Sequence, residues 1–258
     1  MSELKVLYLD DHMVAIHKPS GMVVHPSQGV GFYRNCMKLI RDHLGQIVYP
    51  VNRLDRGTSG VLVMGLSSEA ASVMAGAFRN RQVEKTYVAL VRGWTQDEGT
   101  VEEPLDDKPA LTRYRTLSRM EVDLPSPPHP TSRYSFVRAQ PRTGIYHQLR
   151  RHLRRTGHPV IGDRQHGSKL HNRAFHERFG VKRLLLHSYR LILPHPVTGE
   201  PLQIVARLPG RLRGLFQAVG TPREVVEDPF AGPTFLTERV CGHSSEPGGD
   251  LQEGPFPA

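Results

Sequence analysis

The stretch from Asn52 to Leu66 limits the fold more than any other part of the chain. It begins as NRLDRGTSG, a polar run with two glycines and no periodicity, and continues without a break as VLVMGL. The first half reads as a loop. The second is too short for a helix and apolar at nearly every position, which predicts a strand buried on both faces. A strand buried on both faces belongs in the interior of a sheet, so the loop feeding it opens at the end of that sheet.

The rest of the pattern predicts a mixed α+β chain with many antiparallel strands rather than regular βαβ alternation. Residues 4–9 and 12–17 read as two short strands joined by an Asp-Asp turn, and Lys18-Pro19-Ser20-Gly21 breaks the pattern after them. Helices are expected over 33–44, stopped by Gly45, and from a Ser67 or Ser68 cap to Arg79. Strands are expected over 83–92, 111–117 and 133–139, the last two separated by the proline-rich LPSPPHPTS. A helix is expected over 146–155, stopped by Gly157. Residues 184–193 and 201–208 read as paired strands joined by HPVTGE, and a last helix falls near 211–219.

Charge separates the chain into two parts. The net charge is +9 over 258 residues. From Thr221 onward two arginines face seven acidic residues, a net −5, which leaves +14 on residues 1–220. We therefore expect one domain over 1–220 and an acidic, Pro/Gly-rich, weakly ordered tail over 221–258. A basic body suits a polyanionic partner, because each phosphate contact releases counterions; a well-solvated basic enzyme has the same composition. No apolar run is long enough to span a membrane, and MSELKVLYLD lacks a secretory core, so a cytoplasmic protein is expected. Cys36 and Cys241 suggest neither a disulfide framework nor a zinc site.

Two segments carry groups suited to chemistry. In RLDRGTSG, Asp55 lies between Arg53 and Arg56. Opposite charge favours the ionised carboxylate, and a glycine-bearing loop can present it on a cleft floor; an aspartate that merely caps a turn looks the same. In HQLRRHLRRTGH, helical spacing would put His147, Arg150, Arg151 and Arg154 on one face and Leu149 and Leu153 on a stripe that buries. A basic face suits phosphate, and a solvated basic helix with one arginine satisfied by a buried carboxylate is the alternative. The histidine spacings, i,i+5 for His147/His152 and His171/His176, suit no single metal. HExxH, paired CxxC, Walker-type, GxGxxG and GxSxG patterns do not occur.

These residues resemble the RluA-type pseudouridine synthases. RLDRGTSG is similar to that family's catalytic loop, KPSG (18–21) to its KPxG loop, EKTYVALVRG (84–93) to its KxYxAxxxG strand and HQLRRH (147–152) to its HQ[IL]RxH segment. HPVIGD (158–163) and LLLHSYRLILPHPVTGEPL (184–202) follow in the family's order. The resemblance implies a pseudouridine synthase fold, with a central mixed, mainly antiparallel sheet, a catalytic cleft, and neither cofactor nor metal. It implies that Asp55 is the catalytic aspartate, that Tyr87 stacks on the target base where it would otherwise be core packing, and that Arg150 pairs with Asp55. It also implies that Arg53 lies beside a flipped nucleotide; Arg56 and the basic helical face of His147, Arg151 and Arg154 are expected as further RNA contacts. VLVMGLSSEA, HQLRRH and HPVIGDRQHG resemble the tRNA pseudouridine-65 synthases. That implies tRNA as the partner, with no membrane and no protein partner. A ribosomal RNA substrate and a non-catalytic basic RNA-binding protein are the other readings. Two positions depart from the family pattern. Asn52 stands where His is usual and cannot titrate, and Ile145 stands where a basic residue is usual.

Overall fold

The computed structural model describes residues 4–25 and 35–230, and the backbone of 237–240. In chain order its elements are β1 (Lys5–Leu9), β2 (Met13–Lys18), α1 (Cys36–Leu44), β3 (Tyr49–Pro50), β4 (Ser59–Gly65), α2 (Ser68–Arg79), β5 (Glu84–Arg92) and β6 (Glu98–Val101). They continue with β7 (Thr112–Val122), β8 (Ser132–Pro141), α3 (Gln148–Arg155), α4 (Lys169–Phe179), β9 (Leu186–Pro194), β10 (Pro201–Val205), α5 (Gly210–Ala218), α6 (Arg223–Glu227) and β11 (Thr237–Val240).

Local chemistry accounts for most of the boundaries. The β1–β2 turn is held by Asp10, whose Oδ1 accepts from the backbone N–H of His12 and of Met13, each at 2.8 Å. Asn35 and Ser67 cap α1 and α2 by accepting from the N–H of Lys38 and Ala70. Gly45 ends α1 in the left-handed conformation that the stop signal anticipates.

All strands join one sheet, ordered β1-β2-β4-β9-β5-β8-β7-β11, with β3 added to β4, β6 to β7 and β10 to β9. Every pairing is antiparallel except β4–β9 and β7–β11. The sheet is thus mixed and mainly antiparallel, as expected. β4 is buried at all seven positions because its alternate side chains enter two cores. Val61 and Val63 pack with Met74 and Ala77 of α2, while Leu62 and Met64 pack with Cys36 and Ile40 of α1. Beyond the join, Leu149 and Leu153 of α3 cover one side of β5 and β8, and Phe175, Leu212 and Phe216 of α4 and α5 cover the other.

The two halves of the sheet meet through a short parallel contact, Ser59 opposite His187 and Gly60 opposite Ser188. The buried His187 accepts from the Ser59 hydroxyl at 2.7 Å through Nδ1 and donates to the Ala206 carbonyl through Nε2. Gly60 has φ +118°, and a Cβ there would run into the Ser188 carbonyl. The loop before β4 therefore opens at the seam between the halves.

The ordered body continues past α5 at its C-terminal end. Pro222 starts α6, and Val225 and Val226 are fully buried against the core, so the ordered body does not stop at Gly220. The Phe230 ring lies 3.7 Å from the Arg190 guanidinium carbon. The acidic, proline-rich composition hid an apolar pair that anchors this turn. The remainder of the tail lies outside the described residues apart from β11, which pairs with β7. Gly60→Ala should destabilise the protein by about 3 kcal/mol or more, combining backbone strain with a clash that backbone cannot relieve cheaply. A near-wild-type urea midpoint would show that the seam tolerates a side chain.

Candidate active site

The loop between β3 and β4 is held from beneath by its neighbours. Asn52 is buried; its Oδ1 accepts from the Val63 N–H at 2.8 Å and its amide donates to the Val61 carbonyl at 3.4 Å. At this position a neutral amide anchors the loop to β4. The Asp55 carbonyl accepts from the Thr58 N–H at 3.0 Å and closes a turn. The KPSG loop grips the same turn from the side. Gly21 N–H donates to the Arg56 carbonyl, Ser20 Oγ to the Gly57 carbonyl, and Arg56 Nε back to the Gly21 carbonyl. Lys18 is fully buried, and its ammonium donates to the carbonyls of Pro19, Met22 and Arg56. Burial pushes it down to about 8, so it is still mainly protonated at neutral pH.

The Asp55 carboxylate projects from this clamped turn and is about one quarter exposed. Arg150, from α3, donates through Nη1 to Asp55 Oδ2 at 2.9 Å. The same guanidinium donates through Nε and Nη2 to both oxygens of Asp163, at 2.6 and 2.8 Å. Asp163 is fully buried, and its Oδ1 also accepts from the N–H groups of Gln165 and His166. Burial would push the Asp163 carboxyl up, but the Arg150 and His166 hydrogen bonds outweigh it and hold the group below the usual carboxylate range. Burial likewise works against the Arg150 charge, and the two aspartates reverse the effect and raise it. Asp163 thus aims the fork, and one edge of the fork meets Asp55.

His147 does not begin α3. It has φ +55°, a left-handed position just before the helix, so the expected four-residue basic face is broken at its start. Its Nε2 lies 3.7 Å from Asp55 Oδ2, and its Nδ1 is 2.9 Å from His166 Nε2. Tyr146, 62% exposed, stacks on His147 with ring centroids 3.7 Å apart. Gln148 fixes the turn before α3. Its Oε1 accepts from Thr143 and from the Ile145 N–H, while its amide donates to Leu111 and Thr112. Ile145 therefore contributes a backbone contact at a position where a basic side chain is usual.

These groups line a cleft of about 1500 Å³. Asp55, His147 and Arg150 meet within it, and Arg53 and Arg56 lie on its wall. Tyr87 is partly buried in the cluster under α3 and is not among the residues that line the cleft. Burial pushes its hydroxyl up to about 12; a hydrogen bond with Ser188 opposes this and the Asp55 charge adds to it. Arg151 and Arg154 are not among the lining residues. Arg151 forms a two-pronged pair with Asp106, and Arg154 is exposed on the outer side of α3. Sequence reading did not single out Asp163 or His166 individually, although both fall in HPVIGDRQHG. Among the described residues no cluster of three or more His, Cys, Asp or Glu is placed to hold a metal, and no helix is long and apolar enough to cross a membrane.

Replacing Arg150 with Met should cost about 3–5 kcal/mol, because it leaves Asp163 charged and buried without its cation. Adding Asp163→Asn should recover part of that loss. A double variant no more stable than Arg150→Met by thermal melting would contradict this pairing. Asp163 itself, with its depressed pKa, contributes stability that is present above the ordinary carboxylate range and lost as the pH falls below it.

Residues 12–155 match the RNA pseudouridylate synthase family. The chain is 42% identical over 260 residues to tRNA pseudouridine synthase C of Pectobacterium carotovorum subsp. carotovorum, covering 94% of this chain and 68% of that protein. It is 44% identical over 225 residues to tRNA pseudouridine synthase C of Salmonella typhimurium, covering 80% and 85%. The fold is similar to that of human RNA Pseudouridylate Synthase Domain Containing 1, with TM-score 0.63 and 24% identity over 85% of this chain and 96% of the human one. The chain belongs to the RNA pseudouridylate synthase family and is an isomerase.

Proposed function

We propose that this protein converts a uridine of tRNA to pseudouridine, at position 65 in the T-stem region, with Asp55 as the catalytic carboxylate. The observation that carries this reading is the Asp55 carboxylate, held 2.9 Å from Arg150 at the floor of a cleft whose walls are rich in arginine. The tRNA assignment is supported by relatives 40–44% identical that are named tRNA pseudouridine synthase C.

The reaction breaks the C1′–N1 bond, turns the uracil, joins C1′ to C5, and exchanges the C5 proton for one on N1. All heavy atoms stay within the substrate. One ionised carboxylate at the ribose serves either route, attack at C1′ or removal of the C2′ proton. Arg150 donates to the Asp55 carboxylate and fixes its direction. The uridine must first leave its stack, at a cost of a few kcal/mol. Tyr87, whose hydroxyl feels the Asp55 charge, offers an aromatic surface worth about 1–3 kcal/mol once the base is inside. Arg53 and Arg56, on the cleft lining, are placed to hold the strand that has to be bent, and His147 Nε2 lies 3.7 Å from the carboxylate oxygen that Arg150 binds. Arg151 and Arg154 are left for contacts outside the cleft.

Transcripts carrying tritium at uridine C5 test the reading. The wild-type protein should release tritium from tRNA, and Asp55→Asn should lower the rate by at least about 10³-fold with unchanged folding. Release by Asp55→Asn at a comparable rate would remove the central residue. Release from ribosomal RNA alone would overturn the tRNA assignment.

A further inference from the structure

Only two acidic residues line the cleft among the described residues, Asp55 and Asp163, and both are committed to Arg150. The remaining cations of the cleft have no carboxylate of its lining to pair with. Arg183, in the segment before β9, is the most deeply set of them. Its Nη2 donates to Ser59 Oγ at 2.6 Å and its Nε to the Leu184 carbonyl at 3.1 Å. Ser59 passes its own hydrogen to His187, which in turn donates to Ala206. This chain runs in one direction, from guanidinium to hydroxyl to imidazole to carbonyl. Ser59 and His187 are fully buried, so Arg183 is held at the seam where the halves of the sheet meet.

The surroundings are uniformly basic. Burial pushes Arg183 down to about 10. Burial also lowers His17, and the charges of Lys5 and Arg183 lower it further. His187 falls to about 3 through burial and then through His17 and Arg183. Arg183 depresses both histidines, and the lining of the cleft offers it no carboxylate that is not already held by Arg150. A guanidinium fixed by Nε and one Nη keeps its other Nη edge for a tetrahedral anion.

We propose that Arg183, held by the Ser59–His187 chain, is a binding site for one backbone phosphodiester of the substrate RNA. The site lines the same cleft as Arg150 and Asp55 and holds the strand while the uridine is drawn toward Asp55. The proposal rests on RNA being the substrate, and the test reads binding as well as turnover so that the two can fail separately.

The test uses substrate RNAs that each carry one uncharged methylphosphonate linkage, scanned across the linkages flanking the target uridine. Kd and tritium release are measured for wild type, Arg183→Met and Arg183→Lys. At one linkage, neutralisation should weaken wild-type binding about tenfold. Arg183→Met should bind unmodified RNA about tenfold more weakly and lose little more at that linkage, while other sensitive linkages keep their full effect. Arg183→Lys keeps the charge without the fork and should fall between the two. If Arg183→Met melts early, the same cycle run with Arg183→Lys and Ser59→Ala decides the matter. Losses that multiply at every linkage, or a wild type indifferent to every linkage, would overturn the proposal. If the wild type forms no pseudouridine, the isomerase reading fails, and the Kd cycle still accepts or rejects the phosphate site.

Discussion

A single guanidinium shared between two carboxylates organises this molecule. Asp163 is fully buried and tolerable as an anion only because Arg150 grips both its oxygens and two backbone N–H groups complete its shell. That grip leaves Arg150 with one edge, and the edge meets Asp55. The direction of the Asp55 carboxylate therefore depends on residues far away in sequence, on α3 and in the turn before α4. Breaking this arrangement at Arg150 leaves a buried charge uncompensated and frees the direction of the Asp55 carboxylate, because the same group holds both.

The loop that bears Asp55 gains its rigidity from a second set of contacts. The Lys18 ammonium, Ser20 and Gly21 bind the Arg56–Gly57 backbone, and Asn52 ties the loop's start to β4. The loop is thus clamped at both ends while its centre faces the cleft. The seam between β4 and β9 completes the support. There the absence of a Cβ at Gly60 lets two strands approach, and the buried Ser59–His187 pair closes the join. Fold and site coincide at this seam because the cleft opens where two residue pairs join the halves of the sheet.

Much of this was legible from local pattern. The fully apolar VLVMGL announced a buried strand, the Ser67 cap and Gly45 stop marked helix ends, and LLLHSYRLIL with PLQIV formed the expected pair. RLDRGTSG drew attention to Asp55. What depended on distant contacts was hidden. Nothing near Arg150 in sequence indicates that Asp163 turns it inward, so α3 read as one basic face when its arginines point different ways. The left-handed backbone at His147 follows from the packing of Gln148, which no periodicity reports. Asn52 looked like the loss of a titratable group, whereas its amide is spent on the β4 backbone. In α6, two valines within an acidic, proline-rich tail were outvoted by their surroundings.

The central claim is that one carboxylate, aimed by a distant arginine, isomerises uridine in tRNA. It is tested most directly by mapping pseudouridines across all stable RNAs in cells whose only copy of this gene carries Asp55→Asn. The account predicts loss of modification at a tRNA site, with ribosomal RNA untouched and the protein present at normal abundance. An unchanged tRNA map, or a loss confined to ribosomal RNA, would contradict it.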